Sequence, residues 1–411
     1  MDVHIPESTY RRSRKRGEVL PPFSALVRRL AVGRWRWIPL LLPAVGVCLF
    51  LTGCRPSTPP AAANPPSEPG NTVSPKPPAT PFFREIAETA QLRFRHQLAD
   101  GKLDTIMESD GAGGAVLDYD GDGFMDIYLV NSGPDPAFSD APPATERWPN
   151  RLFRNRGDGS FEDVTGKAGV QGHGWGTTAA AADYDNDGDT DLLVVNFGSL
   201  ILYRNEGDGT FRDVTATAGL ASRQMGISAC FFDADRDGRL DLFVANYLVF
   251  DRSIQVPPGS QVPYPGPLSY DPEFNLLFRN RGDGTFANVS EASGIRIAGH
   301  RAMSATALDY DWDGDQDLYV SNDATPNLLL ANNGRGHFTD VGLQTGTGVS
   351  QFGTADGSMG ATVGDCNGDG LPDLLVTRFG KASLYLSSRG GFFEDRIQTS
   401  GILDISSKFT G

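Results

Sequence analysis

Short apolar runs recur along the chain, each directly behind a segment rich in Asp and Gly. Their aliphatic, aromatic and β-branched residues have the composition of β-strands. The five runs are Ile-Tyr-Leu-Val after Asp126, Leu-Leu-Val-Val after Asp191, Leu-Phe-Val-Ala after Asp241, Leu-Tyr-Val-Ser after Asp317 and Leu-Leu-Val-Thr after Asp373. Their recurrence predicts a protein assembled from repeated strand units.

A second pattern follows each run and predicts a β-hairpin: an apolar strand, a tight turn rich in Asn and Gly, and a strand that starts at Phe. These positions are Phe161, Phe211, Phe286, Phe338 and Phe393, at intervals of 50, 75, 52 and 55 residues. With the strands that flank each acidic segment, every unit has four strands. Four-stranded units at intervals of about 50 residues are typical of propeller blades. We therefore expect an all-β fold, a β-propeller with five complete four-stranded blades.

Insertions and the two ends of the repeat region depart from this period. Residues 251–274 fill the long interval and residues 132–149 form a shorter insertion, and we expect both to be loops on a face of the disc, where propellers usually bind ligands. Residues 82–94 are predicted to be the last strand of a unit that lacks its other strands, and residues 402–411 to open a further unit. We expect a propeller that is incomplete at the C-terminus.

Five nine-residue acidic segments carry oxygen-bearing side chains at positions 1, 3, 5 and 9 and Gly at position 6. This spacing suits Ca²⁺, which takes about six to eight oxygen ligands, better than Mg²⁺, which requires stricter octahedral geometry. Zinc and copper are disfavoured because no Cys or His occupies a ligand position. We predict about five Ca²⁺ sites with these ligands: Asp118, Asp120, Asp122, Asp126, Asp183, Asp185, Asp187, Asp191, Asp233, Asp235, Asp237, Asp241, Asp309, Asp311, Asp313, Asp317, Asp365, Asn367, Asp369 and Asp373.

The EF-hand shares this spacing and is the first alternative. It requires a bidentate Glu at position 12 and a helix on each side. Position 12 is apolar in every copy, and the residues are Leu129, Val194, Val244, Val320 and Val376. The second alternative for any single copy is an acidic hairpin turn. Five copies with the same positions filled favour metal sites between two strands.

Charge is distributed unevenly along the 411 residues. The chain has 36 Lys and Arg against 51 Asp and Glu, a formal net charge of −15, whereas residues 1–53 alone have nine basic and three acidic side chains. Residues 54–411 therefore have a net charge of −21. So acidic a chain binds polyphosphates poorly, and we expect no nucleic-acid partner.

Residues 1–53 are predicted to be a signal peptide, because a basic segment precedes a short apolar run. The run covers 15 residues, 37–51, against the roughly 20 of a transmembrane helix. Its ending, Leu-Thr-Gly before Cys54, resembles a bacterial lipobox, which implies lipidation of Cys54. The alternative is an ordinary signal peptide or a membrane anchor in which Cys54 occurs by chance.

Residues 54–80 are predicted to be an extended linker behind the lipidated Cys, since residues 55–80 include nine Pro and almost no large apolar side chain. The predicted domains are therefore 1–53, 54–80 and the propeller at 81–411. The expected location is the bacterial cell envelope, on the periplasmic side or the cell surface, with membrane contact through the lipid alone. Within the folded part, Cys230 and Cys366 lie 136 residues apart, and we expect two small buried side chains without a disulfide.

Together these motifs resemble the FG-GAP/VCBS repeats of integrin-α-type propellers. The segments Val320-Ser-Asn-Asp-Ala-Thr-Pro-Asn and Ser358-Met-Gly, ahead of the fifth acidic segment, are similar to bacterial relatives of cartilage acidic protein, which often carry an ASPIC/UnbV domain. The resemblance implies a seven-bladed propeller, Ca²⁺ in the loops between strands, and a secreted or surface location. Asn367 and Cys366 depart from the pattern, and we expect the closing blades, with any C-terminal domain, to be missing from these 411 residues.

No catalytic set is evident in the sequence. The five His residues form neither a His-Glu-x-x-His pair nor a nucleophile–base set, and they are His4, His96, His173, His300 and His337. We therefore expect a non-enzymatic adhesion module that binds a protein or glycan on a propeller face. An envelope enzyme of the polysaccharide lyase or phosphatase type is the alternative, and it requires a non-repeated polar cluster at the disc axis. A structural assembly factor is a third hypothesis.

Overall fold

The computed structural model describes residues 84–97, 103–133, 148–260, 262–380 and 382–402. Over these residues the fold is nearly all β, with twenty strands, three one-turn α-helices and three short 3-10 turns. The strands form five four-stranded antiparallel sheets in which strand order follows the sequence. The predicted fold class is confirmed: each repeat unit is a propeller-type blade of four strands.

Each sheet contains four consecutive strands, and the bounds are β1 (Gly114–Leu117), β2 (Asp126–Leu129), β3 (Arg151–Asn155), β4 (Phe161–Asp163), β5 (Gly176–Ala182), β6 (Asp191–Asn196), β7 (Ser199–Asn205), β8 (Phe211–Asp213), β9 (Gly226–Phe232), β10 (Asp241–Asn246), β11 (Leu276–Asn280), β12 (Phe286–Asn288), β13 (Ala302–Leu308), β14 (Asp317–Asn322), β15 (Leu328–Asn332), β16 (Phe338–Asp340), β17 (Ser358–Gly364), β18 (Asp373–Arg378), β19 (Ser383–Ser388) and β20 (Phe392–Asp395). Single-turn helices follow three of the fourth strands, and these are α1 (Thr165–Ala168), α2 (Thr215–Ala218) and α3 (Gly342–Thr345). The 3-10 turns are Ile106–Ser109, Pro267–Ser269 and Ile397–Thr399.

The apolar runs form the second strand of each sheet. Strands β6, β10 and β14 are buried over their whole length. Each is hydrogen-bonded between two strands of its own sheet, and apolar side chains of neighbouring sheets cover both of its faces. A strand covered on both faces has a continuous apolar sequence instead of an alternating one. This is why the runs were visible in the sequence.

Consecutive sheets pack face to face through their side chains. Their first strands lie next to one another in the order β1, β5, β9, β13 and β17. Tyr128 of the first sheet and Val194 of the second share one apolar core, and similar cores lie between the following pairs. The core between the third and fourth sheets also contains Ile106 and Met107. The segment ahead of β1 therefore packs against sheets that are distant in sequence.

Two predictions about the ends of the repeat region have different outcomes. Residues 84–94 form a turn and extended backbone, not a strand, so the prediction of a strand at 82–94 is wrong for the described residues. The turn is closed by a hydrogen bond from the Ala90 amide to the Ile86 carbonyl at 2.7 Å. The fifth hairpin's second strand begins at Phe392, one residue before the predicted Phe393.

Several sequence predictions fall on residues outside the described part of the chain. These are the signal peptide at 1–53, Cys54, the linker to residue 80, most of the insertion at 132–149 and residues 403–411. In the described ranges, none of the helices has the length and apolar character needed to cross a bilayer.

Both cysteines of the described chain are free thiols, as expected. Cys230 is partly buried, and burial raises the pKa of its thiol to about 11. Cys366 is exposed, so the prediction that it is buried is wrong. Its Sγ donates to Asp373 Oδ2 at 3.1 Å, and no further sheet covers it within the described residues.

Candidate metal centres

The five acidic segments connect the first and second strands of their sheets, so all of them lie at the same end of the blades. We number the loops one to five along the chain. At position 1, the carboxylate accepts hydrogen bonds from backbone amides further along its own loop. In loop one, Asp118 accepts from the amides of Asp122 at 3.1 Å and Gly123 at 2.8 Å. The first Asp therefore shapes the loop as well as supplying a candidate ligand.

Two positions of each loop have left-handed backbone. Position 6 is Gly throughout, with φ between 81° at Gly238 and 96° at Gly188, as the sequence indicated. Position 4 is also left-handed and was missed, because its residue type varies. It is Gly in loops one and five, and elsewhere Asn186, Arg236 and Trp312, with φ of 58°, 61° and 67°. The left-handed region is costly for a bulky residue, so neighbouring contacts must hold Trp312 there.

The Asp at position 9 opens the second strand and is buried in every loop. Both of its oxygens accept backbone amides. In loop two, Asp191 Oδ2 accepts from Tyr184 at 3.1 Å and Oδ1 from Asn205, at the end of the third strand, at 2.8 Å. The same pair of bonds occurs in the other four loops. The position 9 Asp therefore joins its loop to the sheet, a role that the ligand spacing alone did not indicate.

Position 3 has a buried oxygen without a partner. Oδ1 of Asp120, Asp185 and Asp235 is inaccessible to solvent and accepts no hydrogen bond. A buried carboxylate oxygen left unpaired is costly. A cation beside position 3 would satisfy it, so the donor set of the first three loops fits a hard, oxygen-preferring metal ion.

Carboxylates of four loops lie close enough together to hold a metal ion, with one oxygen from each residue within 4.8 Å of the others. Loops one and three use positions 1, 3 and 5, and loops two and four use positions 1, 3 and 9. The groups are Asp118, Asp120 and Asp122; Asp183, Asp185 and Asp191; Asp233, Asp235 and Asp237; and Asp309, Asp311 and Asp317.

The fifth predicted site is different. Asp365, Asp369 and Asp373 do not form such a group within the described residues. At position 3, Asn367 donates from Nδ2 to Asp369 Oδ2 at 2.9 Å. An internal hydrogen bond therefore occupies an oxygen that would otherwise be available to an ion.

Electrostatics of the position 9 carboxyls also favour a cation. Burial raises the pKa of Asp191 and of Asp317 to about 7 and that of Asp241 to about 6. Neighbouring carboxylates contribute to these raised pKa values, and the backbone amides that donate to the same groups partly offset the increase. A bound divalent ion would favour the ionised form of all the carboxylates around it.

Arginine side chains already occupy two of the groups. From the third strand β3, Arg154 contacts Asp120 at 2.5 Å and Asp122 at 2.7 Å. Arg279 of β11 contacts Asp235 in the same way. In loop two the matching Arg204 instead pairs with Glu206 at 2.9 Å, and in loop four the position is Ala331. Loops two and four therefore have no contact of this kind from a third-strand Arg, although Arg236 of loop three contacts the Asp313 carboxylate of loop four at 3.7 Å.

Asparagine at the end of the third strand is a functional position that sequence reasoning missed. Asn205, Asn280 and Asn332 each donate from Nδ2 to a carbonyl at position 2 of the preceding blade's loop, at 2.8, 2.7 and 2.8 Å. Ser387 replaces Asn in the fifth blade, and its Oγ is buried without a partner. The recurring Asn before each hairpin turn was the available signal. These side chains connect consecutive blades at the candidate metal loops.

Repeated blades with a carboxylate loop between the first two strands define a propeller-type repeat protein. The FG-GAP-like repeat profile matches residues 118–194, 183–244, 268–320 and 309–376, together more than half of the chain. The chain belongs to the FG-GAP-like repeat family. The predicted resemblance is confirmed.

Two curated relatives match over short segments. Cartilage acidic protein 1 of Xenopus tropicalis is 39% identical over 72 residues, which are 17% of this chain and 10% of the relative. The Homo sapiens protein of the same name is 45% identical over 53 residues, 13% of this chain and 8% of the relative. The aligned part thus spans about a tenth of either relative's length.

Three solved structures align with TM-scores below 0.5. A lectin of Agrocybe aegerita, studied for its recognition of non-reducing terminal N-acetylglucosamine, has a TM-score of 0.39 at 19% identity over 68% of this chain and 64% of its own. The V. cholerae biofilm matrix protein Bap1 has a TM-score of 0.35 at 14% identity over 72% and 43%. A Lactobacillus plantarum protein has a TM-score of 0.41 at 10% identity over 69% of each chain.

Proposed function

We propose that this protein is a calcium-stabilised recognition module that binds a protein or glycan partner on its propeller-type scaffold and catalyses no reaction. The observation that carries the proposal is the buried, unpartnered Oδ1 at position 3 of three successive loops. Each belongs to a group of carboxylates close enough to share an ion. A Ca²⁺ ion there would bind position 3 and offset the repulsion between neighbouring carboxylates.

Calcium would stabilise the folded chain because the unfolded chain does not preserve the groups. The test is a thermal melt of the metal-free full chain, with and without Ca²⁺, combined with calorimetric titration. We expect Ca²⁺ to bind at about four sites and raise the Tm by several degrees. Titration without heat, together with an unchanged melt, would contradict the proposal. Mg²⁺ at the same concentration is the control for a nonspecific divalent effect.

The proposed location is the cell envelope, with a lipid at Cys54 as the anchor. It is supported by the basic and apolar pattern of the N-terminus and by the Pro-rich residues that follow. Metabolic labelling with an alkyne-tagged fatty acid tests it. Labelling of the native chain and its loss in Cys54→Ser are expected, with Cys48→Ser as the matched control. Unlabelled native protein in the soluble fraction would disprove the lipid anchor.

An envelope enzyme is the second candidate, because a non-repeated polar cluster exists away from the metal loops. It includes Tyr247, Asp323 and Arg378. Lyases of acidic polysaccharides and phosphatases act on anions, however, and carboxyl groups outnumber basic groups at this cluster. The cluster therefore favours binding over either activity. Hydrolysis of an aryl phosphate, or eliminative cleavage of a uronate polymer, by native protein and not by Tyr247→Phe would support the enzyme.

A further inference from the structure

A cavity of about 860 Å³ opens on the face opposite the carboxylate loops. The loops lie where the first strands end and the second strands begin, whereas Asp323 follows the end of β14 and Arg378 ends β18. The insertion behind β10 adds Val262 and Tyr264, and the segment ahead of β1 adds Leu103. The cavity falls within the roughly 300–1,000 Å³ of small-molecule sites. Tyr247, Asp323 and Phe379 each follow the second strand of their blade, so these lining positions repeat whereas the residue types do not.

Glu108 is a buried carboxyl group of this cavity that is only half satisfied. The side chain is 3% exposed. Its Oε2 accepts the backbone amides of Asp104 and Thr105, each at 2.9 Å. Its Oε1 is inaccessible to solvent and has no hydrogen-bond partner. The carboxylate thus retains an unused acceptor just behind the cavity surface, and a ligand's donor reaches it when the wall shifts slightly.

Asp110 and Asp323 add two further carboxyls to the same wall. Oδ2 of Asp110 is buried without a partner. Asp323 is 8% exposed, and its Oδ2 accepts the Tyr247 hydroxyl at 2.5 Å. The two carboxyls lie close enough to interact: burial, and then the negative charge of Asp323, raise the pKa of Asp110 to about 7. A cation placed between them would remove this repulsion.

Each basic group nearby has at least one partner, although Nε of Arg378 and of Arg301 is buried without one. Arg378 contacts Asp356 at 3.2 Å through Nη1 and the Tyr385 hydroxyl through Nη2. Arg301 donates to the Tyr270 carbonyl at 2.6 Å. Among the residues that line the cavity, the carboxyls of Glu108, Asp110 and Asp323 face the one guanidinium group of Arg378, so the wall has an acidic excess. An anionic ligand is therefore disfavoured.

A metal ion is also disfavoured in this cavity. In the described chain, the carboxylate groups tight enough for an ion are those of the first four loops, and Glu108, Asp110 and Asp323 are not among them. Apolar side chains line much of the remaining wall and rim, including Leu103, Val262 and Phe379, which are 47%, 43% and 82% exposed. Such a wall suits a ligand with a hydrocarbon or aromatic body.

We propose that this cavity binds an organic cation, with a protonated amine at Glu108, Asp110 and Asp323 and an apolar body against Leu103, Val262 and Phe379. Charge-assisted hydrogen bonds from the ammonium group satisfy the unpartnered oxygens, and the aromatic rim contacts its carbon chain. This inference depends on the proposed function, because the cavity would be the recognition site of the binding module.

The first experiment compares three probes of similar shape with Ca²⁺-saturated native chain by calorimetric titration: 2-phenylethylamine, 2-phenylethanol and 3-phenylpropanoate. We expect the amine to bind at least tenfold more tightly than the alcohol and the acid not to bind. Equal binding of amine and alcohol, or preference for a neutral monosaccharide such as N-acetylglucosamine, would overturn the proposal.

Isosteric variants localise the site. Asp110→Asn and Asp323→Asn each remove one charge and keep the side-chain shape, and both are expected to weaken amine binding about tenfold. Asp283→Asn is the matched control, because Asp283 lies in a hairpin turn at the opposite end of the blades and binding is expected to be unchanged. Unchanged binding in both cavity variants would place the amine elsewhere.

The outcomes separate this site from the calcium proposal. Titration of the same samples with Ca²⁺ measures binding at the loops, whereas titration with the amine measures binding in the cavity. Heat from Ca²⁺ with none from the amine would reject the cavity alone. Amine binding without any response to Ca²⁺ would reject the calcium proposal alone.

Discussion

Loops two and five share one backbone framework but differ in their surroundings. In both, the position 1 Asp accepts amides of its own loop and the position 9 Asp connects the loop to the third strand. Loop two is covered by the next blade: Asn280 donates to the Tyr184 carbonyl, and Phe286 packs on the Tyr184 ring at 5.6 Å. Loop five is exposed over residues 365–370, and no further blade lies beside it in the described chain.

The difference in burial between loops two and five changes the candidate ligand at position 3. Asp185 in loop two has a buried oxygen without a partner, whereas the exposed Asn367 in loop five is hydrogen-bonded to Asp369. The local hydrogen bonds therefore build the loop, and the charge and burial at position 3 decide whether it attracts an ion. Substitutions at the shared and at the differing positions separate these two contributions.

The largest effect is expected at the shared position 9. Asp191→Ala leaves the buried amides of Tyr184 and Asn205 without acceptors, which costs about 3 kcal/mol or more of unfolding free energy. The loss is expected with and without Ca²⁺ in urea unfolding. Asp185→Ala is the matched control, and it is expected to leave metal-free stability unchanged or higher. Equal losses in both variants would show that position 9 has no special structural role.

A smaller effect is expected from the contact between blades. Asn280→Ala removes the Nδ2 bonds to the carbonyls of Tyr184 and Leu240 and is expected to destabilise the protein by about 1–3 kcal/mol. Asn155→Ala is the matched control, since Nδ2 of Asn155 bonds within its own blade, to Met125 at 3.1 Å. If urea unfolding gives the same loss for both, the bond between blades contributes nothing measurable.

Exchanging the residue at position 3 tests directly whether its side chain binds Ca²⁺. Asp185→Asn is expected to weaken Ca²⁺ binding at loop two about tenfold, or about 1.4 kcal/mol. Asn367→Asp is expected to add a weak Ca²⁺ site at loop five and to lower stability slightly in metal-free buffer, because it adds a like charge. Calorimetric stoichiometry checks both, and a stoichiometry unaffected by either substitution would contradict the assignment of position 3.

The last test concerns pH. The pKa of Asp191 and Asp317 is raised to about 7 in the folded protein, against about 3.9 for Asp in an unfolded chain. A carboxyl with a raised pKa binds a proton more readily when folded, so acidification stabilises the metal-free protein. We expect the Tm to rise by several degrees from pH 8 to pH 5 in chelating-resin-treated samples. Saturating Ca²⁺ should reverse the trend, because protons compete for its ligands. A falling Tm in metal-free samples would argue against these shifts.

Much of the fold was predictable because its signals are local. The runs behind Asp126 and Asp191 became second strands, and the Asn- and Gly-rich turns became hairpins. The errors arose where the burial or backbone conformation of a residue depends on contacts with another segment of the chain. Cys366 is exposed although its counterpart in loop two, Tyr184, is buried beneath Phe286. Residues 84–94 resemble a strand in sequence but form a turn.

By itself, the sequence determined the four-stranded repeat, the position of every carboxylate loop and the residue types available to an ion. These depend on strand composition, turn chemistry and spacing within about ten residues. Only the tertiary structure decided which oxygens are buried without partners, that the position 9 Asp and the Asn residues join loops to strands and blades, and that Glu108, Asp110 and Asp323 line one cavity. Burial and contacts between distant segments are properties of packing, so they have no local pattern in the chain.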